Sequence, residues 1–158
     1  MSDAKRFESL LSRYFEGALA DNPVWANHTG LREGEGKLGR ATLVHLQRQE
    51  RRRRKTLAAL DAFNPRELSN EQHLDRLALR AMLNKECEDF GLARHELNPG
   101  ALDFLLNALQ HELQRGDDEP ARARRNILGV LRGAPRYLAE DAAVVTRPER
   151  VWRRLSWP

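Results

Sequence analysis

The sequence predicts an all-α protein: antiparallel helical hairpins built from about five long helices and a C-terminal helix cut short. Two observations predict this class. Ala, Leu, Arg and Glu dominate while Ile, Thr and Tyr are scarce, which favours helix over sheet. Apolar residues also recur at three- and four-residue spacing through successive segments, each closed or opened by Asn-Pro, Gly or a capping sequence. At 158 residues, 41% hydrophobic and 32% charged, the chain is about one domain long and too apolar for general disorder.

The first helix carries Phe7, Leu10, Leu11, Tyr14, Phe15, Ala18 and Leu19 along one face, with Ser2 or Asp3 as cap and "DNP" at 21–23 as its end. "HTGLREGEGKLG" follows, a glycine-punctuated loop in which no regular element should persist. Residues 42–63 form the second helix, closed by Asn64-Pro65. Leu43, Leu46, Leu57 and Leu60 keep heptad spacing at its ends, while Glu50 and Arg53 predict a middle turn facing water. "SNEQ" at 69–72 is a capping box that opens a third helix, with Leu74, Leu77, Ala78 and Ala81 expected inward. "NPG" at 98–100 starts a fourth, striped with Leu102, Leu105, Leu106, Leu109 and Leu113 and stopped at Gly116. Asp118 and Pro120 begin a fifth, with Ile127, Leu131, Ala134 and Leu138 inward and a kink expected at Pro135. "TRPE" at 146–149 is a further capping box, and Val151, Trp152 and Leu155 begin an apolar face that barely completes two turns. The chain is therefore expected to be the front part of something longer.

Charge and cysteine usage bound the function. The net charge of +4 falls mostly after Gly116 and is too mild to argue for nucleic acid. One cysteine, Cys87, excludes an internal disulfide framework and suits a reducing compartment. The N-terminus lacks a signal-peptide core and no apolar run reaches membrane-spanning length, so a cytoplasmic location without membrane partners is expected.

No residue qualifies as catalytic, cofactor-binding or metal-ligating. "HELNPGALD" and "HELQRGDD" both open like a zinc motif, but H-E-x-x-H needs its second histidine four residues on, where one helix face brings both imidazoles to one ion. Pro99 and Arg115 stand there instead, which leaves His95 and His111 as surface histidines beside glutamates. His28, His45 and His73 have no ligand-spaced neighbours either. Cys87 lies among carboxylates in "KECEDF", which would raise its pKa and discourage nucleophilic use. The cations of "RQERRRRK", 48–55, would fan around a helix and lack interleaved aromatics, so a solvated helix middle is preferred over a phosphate track.

Four stretches, taken in order, carry a family resemblance: "FESLLSRYFEGALADNPVWANHTG", "LAALDAFNPRELSNEQHLDRLALRAML", "LNPGAL" and "RNILGVLRGAPRYLAEDAAVVTRPERVW". They span nearly the whole chain, each only moderately specific. Together they resemble the N-terminal half of the family called domain of unknown function 885, whose members look like bacterial zinc metallopeptidases. The resemblance implies a helical segment inactive on its own, because the family's H-E-x-x-P-G-H metal site lies downstream. "HELNPGA" imitates that string up to Gly100, but Ala101 stands where the second histidine belongs. No cofactor is expected in this chain, and zinc only in full-length relatives. The expected partner is the remainder of the same fold, or a second copy meeting exposed apolar stripes. The alternative is a small basic helical adaptor that binds nucleic acid or an acidic protein through residues 48–55 and 122–136.

Overall fold

The computed structural model describes residues 3–116 and 118–149. These residues form six helices and no strand: α1 (Asp3–Asp21), α2 (Pro23–His28), α3 (Leu43–Asp61), α4 (Asn70–Gly91), α5 (Ala101–Gln114) and α6 (Pro120–Val144). Single 3-10 turns sit at Arg32–Gly34, Pro65–Glu67 and Arg94–Glu96. None of the helices is long and apolar enough to cross a membrane.

Local chemistry sets the ends of the helices. The capping box forms as written: Gln72 N donates to Ser69 Oγ and Ser69 N donates to Gln72 Oε1, each at 3.2 Å. Thr42 Oγ1 accepts from His45 N at the start of α3. The Asp141 carboxyl on α6 accepts from the Gly100 and Ala101 amides, so α5 is capped by its hairpin partner and not by its own N-cap side chain. The α6 helix runs through Pro135 as one element. The short α2 lies between the predicted end of the first helix and the glycine-punctuated loop, where the sequence reading placed no helix. Asn22 accepts from Trp25 N and Pro23 supplies the pre-set φ of a first helical residue, so "DNP" ends one helix and starts another.

Two apolar cores result. In the first, α1, α3 and α4 enclose Phe7, Tyr14, Leu60, Phe63, Leu79 and Leu83, with Phe7 and Phe63 edge-to-face at 5.6 Å. In the second, α2, the 35–41 segment, α5 and α6 enclose Val24, Leu38, Ala101, Leu105, Val130, Ala134 and Tyr137.

The structure corrects the predicted faces of four helices. On α3 the middle turn does not face water: Glu50 is buried beside Cys87, and Arg53 reaches Glu86 at 2.6 Å. Leu43, expected to pack, is exposed, and His45 is buried in its stead. On α4 the inward stripe is Leu79, Leu83 and Cys87, while Leu74, Leu77, Ala78 and Ala81 point outward. On α5 and α6 the buried stripes are Ala101, Leu105, Ala108 and Glu112, and Ala123, Val130, Ala134 and Tyr137. Leu102, Leu106, Leu113, Leu131 and Leu138 remain exposed. Residues 145–149 run past the Arg94–Glu96 turn, with Arg147 N donating to Glu96 O and Glu149 N to Leu97 O. The helix expected around Val151, Trp152 and Leu155 lies outside the described residues.

Candidate functional site

The most elaborate polar assembly of the fold joins α2, the 30–41 loop, α5 and α6. At its centre Glu112 is 1% exposed and Asn27 2%. Glu112 Oε1 accepts from Asn27 Nδ2 at 2.9 Å and from Gly36 N at 3.0 Å, while Oε2 accepts from Asn126 Nδ2 at 2.9 Å. Asn126 also donates to Glu35 at 3.1 Å, and Arg122 Nε meets that carboxylate at 2.6 Å. Arg115 bridges Glu35 and the Asn27 carbonyl. Loop and helix touch closely here, since a Cβ on Gly129 would lie 2.8 Å from the Gly36 carbonyl oxygen.

Electrostatics give this cluster a structural task. A recess of about 250 Å³ opens beside it, lined by Arg32, Glu35, Arg115, Glu119 and Arg122. Hydrogen bonds donated to Glu35 and then to Glu119 push the Arg122 guanidinium up, and Arg122, with Arg32, holds Glu119 below the usual carboxylate range. Each guanidinium already faces a carboxylate, so no surplus positive field awaits an anion. The cluster is a clasp that fixes the glycine-rich loop across the α5–α6 hairpin.

The two His-Glu pairs fall apart in space. His95 sits in a 3-10 turn with its ring stacked on Phe90 at 4.6 Å and 14°, and Glu96 is bound by Arg147 at 2.8 Å. Glu112 turns into the clasp, while His111 emerges on another side of α5 and meets His28 of α2, ring centroids 4.6 Å apart. Sequence spacing could not reveal that pair, because the two histidines come from elements joined only through the fold. Among the described residues no group of three or more His, Cys, Asp or Glu side chains could hold a metal ion. His45 is buried, its Nε2 near Asp21 O and Gln49 Nε2. Burial, and then Glu50, push the Cys87 thiol up and away from nucleophilic use.

The basic run of α3 is largely neutralised. Arg48 and Arg52 both pair with Asp21 at the end of α1, Arg53 pairs with Glu86, and Arg54 with Glu50 at 2.6 Å. Arg48, Arg52 and Arg53 thereby tie α3 to α1 and α4, while the Arg54 pair lies within α3.

The hairpin's outer side is apolar. Leu102, Leu106, Leu109 and Leu113 follow at three- and four-residue steps, each one residue and so about 100° around α5 past its buried stripe. Ile127, Leu131 and Leu138 take the same offset on α6. In an antiparallel pair equal offsets fall on one side, so the seven form one band, opposite the side covered by α2 and the loop. Leu102 and Leu106 are each 55% exposed, Leu113 65% and Leu131 48%. Comparison with known proteins finds no matching family model, curated protein or solved structure.

Proposed function

We propose that this chain is the N-terminal helical part of a zinc-peptidase-like protein of the domain of unknown function 885 type, a wall element without catalytic chemistry of its own. The observation that carries the reading is the leucine band of α5 and α6. Its residues are spaced to bury, and a band this continuous marks a surface that other polypeptide covers. The order of the sequence motifs supplies the family; the clasp supports the role, since it stiffens the hairpin that would present the band. The basic-adaptor reading is weaker, because carboxylates face the α3 arginines.

Light scattering and peptidase assays on the purified chain test this. The exposed band should drive concentration-dependent self-association that Leu102→Gln, Leu106→Gln and Leu113→Gln together abolish without loss of helix signal. Zinc-supplemented chain should leave peptides uncleaved. A monomer at every accessible concentration, or chelator-sensitive peptide cleavage, overturns the reading.

A further inference from the structure

The histidine pair between α2 and α5 is absorbed by neither the clasp nor the apolar band. His28 closes α2 and is exposed; His111 lies on α5 and is partly buried. Their rings are tilted by 43° with centroids 4.6 Å apart. Imidazole nitrogens that share one ion at about 2.0–2.1 Å place their ring centroids roughly 5 Å apart. The ion must lie in both ring planes, which parallel stacking would forbid and this tilt permits.

We propose that His28 and His111 form a two-imidazole site for a divalent transition-metal ion of the copper, nickel and zinc class, clamping α2 to α5. The site is separate from any zinc centre of the peptidase kind and does not depend on that reading. Two features of the surroundings fit it. Gln114 hydrogen-bonds the His111 ring, as the outer partner of a metal-bound histidine does when it fixes the ring's orientation. The pair lies in a recess of about 480 Å³ that also holds Asn107, Gln110 and Gln114, so amide oxygens and water can complete the coordination. Arg115 opposes a cation there, but its guanidinium is turned onto Asn27 and Glu35, and Glu112 lies beside it. Nitrogen donors with open positions bind these ions in the order copper above nickel, with zinc below copper.

Titration calorimetry of the tag-free full chain with copper(II), nickel(II) and zinc(II) chloride at pH 7.5 tests the proposal. One ion per chain should bind, tightest for copper, and should raise the thermal midpoint. His28→Asn or His111→Asn should each weaken binding at least tenfold, and Gln114→Ala roughly tenfold. His73→Asn and His95→Asn should bind as wild type does. Circular dichroism confirms that each variant is folded, and His28 is exposed, so at least one of the pair can be read. Absence of binding to wild type overturns the site, as does undiminished affinity in a folded His28→Asn or His111→Asn chain.

Discussion

Replacing Glu112 with Ala tests the clasp most directly. The substitution removes the acceptor for three donors at once: Asn27 Nδ2, Gly36 N and Asn126 Nδ2. A buried donor left without a partner costs about 1–3 kcal/mol. Water entering from the adjoining recess can serve some of them, so the loss should be about 3–5 kcal/mol, a large part of a typical domain's stability. Glu112→Gln keeps one oxygen for Asn27 and Gly36 but sets an amide nitrogen against the Asn126 amide, for a loss of about 1–3 kcal/mol. Glu112→Leu restores volume without an acceptor and should be no better than Ala. Urea unfolding followed by circular dichroism at 222 nm reads all three. If Leu proved as stable as wild type, or if Ala and Gln both stayed within about 0.5 kcal/mol of it, the clasp would contribute packing alone and the acceptor argument would be wrong.

Two predictions concern ionisation. Tyr137 is pushed up to about 12 by burial, then by Asp141 and Glu140, so the folded state keeps a proton that the unfolded chain releases near pH 10. Its contribution is complete below that pH and lost between about 10 and 12, and Tyr137→Phe should flatten the alkaline decline of the urea midpoint; parallel curves would refute this. Asp141 is raised by desolvation against the amides of Ala101 and Gly100, so its folded form gains stability as pH falls through its folded pKa toward its unfolded value. Asp141→Asn keeps the acceptor without the desolvated charge and should match or exceed wild type at pH 7, whereas Asp141→Ala should lose about 1 kcal/mol of cap. The order Ala above Asn in thermal midpoint would contradict that account.

What the sequence made legible was local. The Ser69 capping box, the Asn64-Pro65 stop and the start of α6 at Pro120 were readable because caps and prolines act within a few residues. Helix faces were harder, since α4 carries leucines on several sides and only its partners choose Leu79, Leu83 and Cys87. The clasp was missed because Asn27, Glu112 and Asn126 meet across 85 and 14 residues of chain. A signal existed in Glu112, which continues the i, i+3, i+7 series of Leu105 and Ala108 with a charged residue. Glu50 stands on α3 in the same way. A carboxyl at a core position predicts a buried network, and reading it as a solvated waist inverted the face of α3.

The division of the greasy interior into two separate clusters has a dynamic consequence. On the side of the first cluster, where α1 hands over to α2, Asp21, His45, Arg48 and Arg52 form a seam between α1 and α3 that is held by charge and hydrogen bonds. Such a seam is sensitive to ionic strength in a way that neither interior is. Backbone amides of α5 and α6 should therefore exchange with solvent as one cooperative block and those of α3 and α4 as another, with salt drawing their protection apart.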